Sequence, residues 1–534
     1  MGKKFGNMSI DLNLLTADEK EFMIEYASNS EWLKLLQEEE IREKIPTNLV
    51  DLYPLARKKN RHFILHVGET NTGKTYNALK RFYKSERGVY LAPLRLLALE
   101  VQESAEENNV PCTYLTGEEE CIREGATHIS STIEKLDIRQ EYDVAVIDEG
   151  QLINDCFRGG AWTRAVLGVL ADEVHICCSP DAETLIVKLI NSCGDTFEVE
   201  RLQRRTPLEV DRKFKDIQPN DALIVFSRKK VLALESELRA EGINASIIYG
   251  SLPYSVRKNE MIKFLKGETN VVIATDAIGM GLNLPIERII FMESEKFDGK
   301  NVRPLLLPEI KQIAGRAGRY GLFEKGIVTC KGNAAWLKES LSTEYEDIIH
   351  AVLPIPEGLI NIKGNFVDNL MIWQNFEFPE YYTKADLTIP LELASILLSY
   401  AGSDDLDNRT IYSMITLPID KTTMSLYKRL VRGLLNGQVE KVLMSVLSSN
   451  LDKKSLNALE DYHKALDVIY SFCSKFDYEL YKQSILLAKE ENALAIMETL
   501  KIPYKKTCKH CDDDLAWDFP YDLCEDCFSH SKVK

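Results

Sequence analysis

Eight consecutive residues, Gly68-Glu69-Thr70-Asn71-Thr72-Gly73-Lys74-Thr75, follow the spacing GxxxxGK[ST]. That pattern suits a loop that cradles phosphates. Glycines let backbone N–H groups approach closely, and the N-terminus of a following helix adds a positive dipole. Lys74 is then placed to neutralise β- and γ-phosphates, and Thr75 to offer its hydroxyl to Mg²⁺. The pattern alone can occur by chance. Here HFILHV precedes it as a strand and YNALKRFYKS follows as a helix, the context that makes it specific. A second feature, VAVIDEGQ (144–151), ends an apolar run in Asp148 and Glu149. In an open α/β sheet ligands bind at that end of the strands. Asp148 suits Mg²⁺, through water, and Glu149 suits polarising a water that attacks phosphorus. Together the two features predict a nucleoside triphosphatase that uses Mg²⁺.

Three later segments add polar groups to strand ends. IVFSRKK (224–230) ends in Ser227, Arg228 and lysines. VVIATDAIGMGLN (271–283) ends in Thr275 and Asp276 and continues into a glycine-rich turn containing Gly279. QIAGRAGR (312–319) carries Gln312, Arg316 and Arg319. Arginines three residues apart share a helix face and can aim at one target. The small residues between them allow close approach. A basic helix on a solvated surface is the plainer alternative, but the spacing QxxGRxGR is far more specific than a run of charge.

At the far C-terminus, CKHCDDDLAWDFPYDLCEDC places Cys508, Cys511, Cys524 and Cys527 as C-x₂-C-x₁₂-C-x₂-C. This spacing suits tetrahedral Zn²⁺ in a small ribbon or knuckle. Trp517, Phe519 and Tyr521 are expected to supply a minimal core for it. His510 and His530 are weaker ligand candidates beside four thiols. Four filled positions leave none for a catalytic water, so the metal is expected to be structural.

These residues need elements to hold them. From residue 62, short apolar runs (FILHV, GVYLAP, VAVIDE, VHICC) alternate with helical stretches, and a second series follows (ALIVFS, ASIIYG, VVIATD, RIIFME, GIVTC). Such runs fit strands buried on both faces of a parallel sheet. The reading is an α/β chain with two tandem α/β domains, 58–208 and 209–345. Residues 1–57 read as a helical N-terminal region, on the apolar spacing of EKEFMIEYASNSEWLKLLQEEEIREKI. A mostly helical accessory domain is expected over 346–500, and the zinc-binding tail over 501–534. No solenoid-length repeat or low-complexity tract is present.

The 534 residues include 66 basic and 82 acidic side chains, for a net charge of −16. That balance argues against a protein that coats nucleic acid by bulk charge, though not against a local basic cleft. With 45% hydrophobic and 28% charged residues the composition is that of a folded globular chain. The N-terminus lacks a signal-peptide core, and an acidic residue by Asp11 disfavours a transit peptide. Gly6 stands where a myristoylation signal needs Ser or Thr. With eight cysteines scattered among apolar neighbours and no long uncharged apolar stretch, the expectation is a cytoplasmic protein that spans no membrane.

GETNTGKT, DEGQ, ATDAIGMGLN and QIAGRAGR, in this order, resemble superfamily 2 helicases of the DExH type. APLRLLALEV (92–101), LTGEE (115–119), GAWTRAVLG (160–168) and YGSLP (249–253) extend the resemblance to the RNA helicase of the mitochondrial degradosome and its bacterial relatives, over roughly residues 60–340. Better-known helicases have Ala-Asp or Ala-His after the DE pair. Gly150-Gln151 suits the degradosome group. Ser179-Pro180-Asp181 is an unusual triplet at the motif III position.

The resemblance implies two RecA-like P-loop lobes with ATP between them. Gly68 to Thr75, Asp148, Asp276 and Gly279 line the nucleotide, while Glu149, Gln312 and the fingers Arg316 and Arg319 act on it. It also implies single-stranded or tailed duplex RNA on the opposite face, at Pro93, Arg95, Thr132, Ser227, Arg228 and Thr275. Movement in the 3′-to-5′ direction and a nuclease or other protein partner at the C-terminal region are further implications. A DNA helicase and an ATP-gated RNA clamp without unwinding are the alternatives.

Overall fold

The computed structural model describes residues 30–527 apart from 282, 402–405, 452–453, 505, 512, 520 and 522, together with residues 3–5, 8–10 and 16. His530 and residues 17–29 lie outside the described residues.

Strands rich in Val, Ile and Leu pack side by side in an eight-stranded sheet. Its order is Thr196–Arg201, His62–Val67, Leu170–Cys178, Glu141–Ile147, Gly88–Ala92, His128–Thr132, Cys112–Leu115 and Glu120–Cys121. All neighbours are parallel except the last pair. Val144 to Ile147 are fully buried, as an apolar run covered on both faces must be. A second, six-stranded parallel sheet runs Leu208–Val210, Gly326–Cys330, Arg288–Phe291, Asp221–Ile224, Val271–Ala274 and Ala245–Ile248. The nine apolar runs read from the sequence all lie in these two sheets or at their ends. His128–Thr132 and Thr196–Arg201 were hidden by their polar residues. Ser130 is fully buried and donates its hydroxyl to the Ala98 carbonyl, which makes a polar residue tolerable there.

The region after residue 345 is mainly helical, ending in the long helices Leu456–Lys475 and Glu479–Leu500. It also contains a short parallel pair, Ala351–Leu353 with Tyr382–Lys384. The Thr163 hydroxyl donates to the Val352 carbonyl at 2.7 Å and ties that pair to the first lobe. The N-terminal region departs further from the helical expectation. Lys3–Phe5 and Met8–Ile10 form an antiparallel ribbon in the register Lys3↔Ile10, and helix begins at Ser30–Lys44. The apolar spacing that suggested helix begins at Glu19 and does not extend over these strands.

One apolar core joins the first lobe, residues 41–56 and most of the helical region. The second lobe has two cores. One of them takes in Leu459, Ile496 and Trp517 from the C-terminal segments. The terminal helices therefore belong physically to both lobes. No helix among the described residues is long and apolar enough to cross a membrane.

Candidate nucleotide cleft and nucleic-acid interface

The loop 68–73 leaves strand His62–Val67 and turns into helix Lys74–Phe82. Asn71 and Gly73 take left-handed backbones, φ 67° and 90°. A Cβ on Gly68 would lie 2.5 Å from the Leu202 carbonyl, so only glycine lets the loop pass the linker that follows the first sheet. The Lys74 ammonium donates to the carbonyls of Gly68 and Glu69. Thr75 donates its hydroxyl to Asp148 at 3.1 Å, and Tyr90 donates its own at 2.7 Å.

Asp148 is 4% exposed, and burial pushes its carboxyl up to about 6, with Glu149 beside it acting in the same direction. Glu149 has φ 50°, uncommon for a residue with a side chain and typical of strained functional turns. Gln151 donates its amide N–H to the Glu149 carboxylate, and its amide oxygen accepts from the Ser179 N–H at 3.1 Å. Gln151 thus ties Glu149 to the Ser179-Pro180-Asp181 turn, where Ser179 donates to the buried Asp181. A Cβ on Gly150 would approach Ile176 to 2.9 Å, which accounts for glycine between the pair and the glutamine.

The second lobe meets this loop directly. A Cβ on Gly315 would lie 2.5 Å from the Thr70 Cβ, and Asn71 donates its amide to the Gly318 carbonyl at 3.2 Å. Lys311 pairs with Glu69 at 3.5 Å. Arg316 donates through Nε to the Gly279 carbonyl at 3.0 Å. Burial lowers its guanidinium, while the charges of Glu149, Asp148 and Glu100 act the other way. Gln312 lies against Gly279, where an added Cβ would sit 3.4 Å from its amide. Arg319 donates to the Asn283 carbonyl at 3.3 Å. Asp276 is exposed and pairs with Lys296 at 2.9 Å. Arg204, which no sequence pattern flagged, bonds across the junction of the lobes.

On the opposite side, Pro93, Arg95 and Thr132 line a cavity of about 970 Å³ between the first lobe and the helical region. Lys135, Arg158, Arg164 and Lys475 line it too, with Glu118, Glu134, Glu357 and Asp386. Burial pushes Lys475 down to about 8, with the like charge of Lys135 adding to the fall, and burial lowers Lys135 as well.

The six candidate contacts are not brought together there. Ser227, Arg228 and Thr275 do not line this cavity. Ser227 and Thr275 accept from Lys230 N–H and Ala277 N–H as helix caps. Arg228 donates to Glu460 and Asn457, and Arg95 pairs with Glu118 at 2.5 Å and Asp467 at 3.4 Å. Both arginines, expected as phosphate contacts, are neutralised by carboxylates, in each case including one from helix Leu456–Lys475. Sequence reading missed Glu460 and Asp467 because they lie in a region without motifs. Their spacing of seven residues, two helical turns on one face, was the available signal.

Four thiols gather at the C-terminus. Cys508, Cys511, Cys524 and Cys527 have sulfurs within 4.8 Å of one another, and none is in a disulfide. Trp517 does not form the expected minimal core with its aromatic neighbours. It is 6% exposed and packs in the second lobe's core, with its backbone N–H donating to the Glu237 carboxylate at 2.6 Å. Phe519 and Tyr521 meet edge to face at 6.1 Å. So short a tail buries its largest ring more completely against helix Arg228–Ala240 than within itself.

A phosphate-type loop, a carboxylate pair at a strand end and an arginine segment from a second parallel lobe define a superfamily 2 helicase core. Residues 50–202 match the family model of the DEXQ-box helicase domain of Suv3, and residues 208–321 match the helicase conserved C-terminal domain. Between them the models cover half of the chain, which carries a Suv3-type DEXQ-box helicase domain followed by a helicase C-terminal domain; Gln151 supplies the Q of the DEXQ box.

The mitochondrial DExH-box ATP-dependent RNA helicase DExH16 of Arabidopsis thaliana is 45% identical over 323 residues, 59% of this chain and 55% of the relative. The mitochondrial SUV3 helicase of rice is 44% identical over 59% of this chain and 54% of its own. The mouse mitochondrial helicase SUPV3L1 is 40% identical over 57% and 41%. The chain spans about half the length of the curated relatives it matches. These relatives are named mitochondrial, which overturns the cytoplasmic expectation. Free thiols and the absence of a membrane span, on which that expectation rested, do not separate the two compartments.

Proposed function

We propose that the chain is an ATP-dependent RNA helicase or translocase that hydrolyses ATP between its two lobes. The carrying observation is the direct packing of Thr70 and Asn71 on Gly315 and Gly318, which brings Arg316 within electrostatic reach of Asp148 and Glu149. Lys74 binds phosphate oxygens, releasing the loop carbonyls it now holds. Glu149, oriented by Gln151, accepts the proton of the attacking water. Gln312, Arg316 and Arg319 stabilise charge on the transferred phosphoryl group, an effect worth about 10³ to 10⁵ in rate. Gly279 shapes the cleft, whereas Asp276 helps hold its turn through Lys296.

Asp148 and Thr75 would hold Mg²⁺, which supplies charge neutralisation on the phosphates. The donor set fits: a buried carboxylate with raised proton affinity and an adjacent hydroxyl are hard oxygen ligands. Cys508, Cys511, Cys524 and Cys527 would hold Zn²⁺ as a structural ion, a reading supported by their mutual approach. Elemental analysis should find one zinc per chain, lost in a Cys508→Ser, Cys524→Ser variant.

RNA enters the cavity between the first lobe and the helical region. Pro93 and Thr132 position its backbone, and Lys135 and Lys475 meet its phosphates. Arg95 and Arg228 act through the helical region rather than as primary contacts. RNA rather than DNA, and 3′-to-5′ movement, rest on the family resemblance and the relatives' names. Domain borders follow the sequence reading, with the boundary between lobes at 202–207, since Leu208 already pairs with Gly326.

ATP hydrolysis and strand separation on 3′-tailed and 5′-tailed duplexes of RNA and of DNA test the proposal. Single-stranded RNA should raise hydrolysis, and Glu149→Gln should lower it by about 10² to 10⁴. Hydrolysis indifferent to both nucleic acids, or undiminished in Glu149→Gln, overturns it. RNA-stimulated hydrolysis without strand separation would favour the clamp.

A further inference from the structure

We propose that Arg204 is a positioning residue that sets the arginine segment 315–317 against the phosphate-binding loop. The inference rests on the ATP-hydrolysing reading and adds a residue that no motif contains.

Arg204 sits in the linker between the two sheets. On one side of it, Leu202 N–H donates to the Val67 carbonyl at 2.7 Å, extending the first sheet. On the other, Gly326 N–H donates to the Pro207 carbonyl at 2.8 Å, anchoring the linker to the second. Its backbone is therefore fixed from both lobes. The guanidinium makes four bonds, all to backbone carbonyls. Nε donates to Thr206 at 2.9 Å. One terminal nitrogen donates to Gly315 at 2.6 Å and to Thr70 at 3.3 Å, and the other donates to Ala317. Among the described residues no carboxylate forms an ion pair with it. Burial lowers its guanidinium, with Glu69 the counter-charge that acts against the fall.

This arrangement differs from an ordinary structural arginine. A half-buried cation held only by carbonyl dipoles gives up hydration without a paired charge in return. What it gains is geometry, because the planar fork presents its N–H groups in fixed directions. Gly315 and Ala317 flank Arg316 in the chain. The Gly315 carbonyl belongs to the peptide that enters Arg316 and the Ala317 carbonyl to the peptide one residue beyond it, so holding both brackets the Arg316 backbone and constrains the direction in which its side chain leaves. The contacts also divide between the lobes: Gly315 and Ala317 belong to the second, and Thr70 to the first. On opening of the cleft Arg204 stays with the arginine segment and releases Thr70; on closing it restores that contact and with it the aim of Arg316.

The test is a double-mutant cycle in the full-length chain. Arg204→Gln and Arg204→Lys are each made alone and in the Arg316→Ala background, and read by single-turnover ATP hydrolysis, KM for ATP and thermal melting. Each single variant should lose about 10- to 100-fold in kcat, with KM changed less than threefold. Lysine should fail to rescue, since it restores the charge but not the fork. In the Arg316→Ala background the Arg204 substitutions should cost less than threefold more, because Arg204 acts through Arg316. Full multiplicative loss in the double variants, wild-type kcat in Arg204→Gln, or rescue by lysine overturns the assignment. Collapse of the melting transition in both variants also overturns it, since Arg204 would then serve the fold in general. Wild-type chain without ATP hydrolysis would fail the functional reading itself, whereas an active wild type with an indifferent Arg204→Gln fails only this inference.

Discussion

The two sides of the lobe junction are built from different chemistry. In the nucleotide cleft the lobes meet largely through backbone and small residues, together with the Lys311–Glu69 pair. Gly315 leaves no room for a side chain against Thr70, and Arg204 grips carbonyls alone. On the far side they are joined through long charged side chains, with Glu460 and Asp467 of one helix reaching Arg228 in the second lobe and Arg95 in the first. Backbone contacts specify position without a charged partner on either side. Charged contacts specify partners, and the arginines that take part in them are already occupied. On the far side a region outside the motif set therefore decides what an arginine touches.

The contrast is sharpest in the cleft. Arg316→Ala should reduce kcat about 10³-fold or more with little change in ATP affinity, because its main contribution is to the transition state. Steady-state kinetics decides this, and a kcat within threefold of wild type would remove the second lobe from the chemistry.

A smaller effect is expected on the far side. Glu460 is 4% exposed and accepts from Arg228, Tyr249 and Ser251. Glu460→Ala should destabilise the fold by about 3 kcal/mol in urea unfolding, since it leaves Arg228 half-buried without its partner. The pair Arg228→Met, Glu460→Leu should recover most of that loss. If Glu460→Ala unfolds at the wild-type midpoint, the far side is not braced by charge at all.

Smaller still is the contribution of single cations in the cavity. Lys135→Gln with Lys475→Gln should flatten the salt dependence of RNA binding by about 0.7 log unit per lost contact. An unchanged slope would place the strand elsewhere. The smallest effect concerns pH. His66 and His175 stack at 5.1 Å beneath the phosphate loop, and burial lowers both from their ordinary value. Their neutral forms favour the fold above about 6.5, and that support is lost as pH falls through this value, where the unfolded chain binds more protons. The melting temperature of wild type relative to His175→Gln should therefore decline between pH 7.5 and 5.5; a constant difference would exclude the pair.

The parallel sheets were legible because buried strands write continuous apolar runs, as in Val144 to Ile147. The residues of the cleft were legible because glycine, lysine and carboxylate are required at fixed spacing on a single loop or strand end. Arg204 was not, since its partners are carbonyls, which every residue possesses. Trp517 was misread for a related reason: its pattern marks an apolar ring that must be buried, but not whether the tail or helix Arg228–Ala240 buries it. The N-terminal ribbon was missed because the helical spacing that begins at Glu19 was extended over residues before it.

Helix Glu479–Leu500 carries the far-side tie one step further. Lys489 donates to the Glu118 carbonyl of the first lobe at 2.7 Å and pairs with Asp467 at the same distance, while Ile496 lies in the core of the second lobe. Two rigid plates bound along one edge open like a book. With its spine on the far side, an opening of the lobes would displace the Thr70–Gly315 margin more than the residues beside Arg95 and Arg228, which lie near the axis.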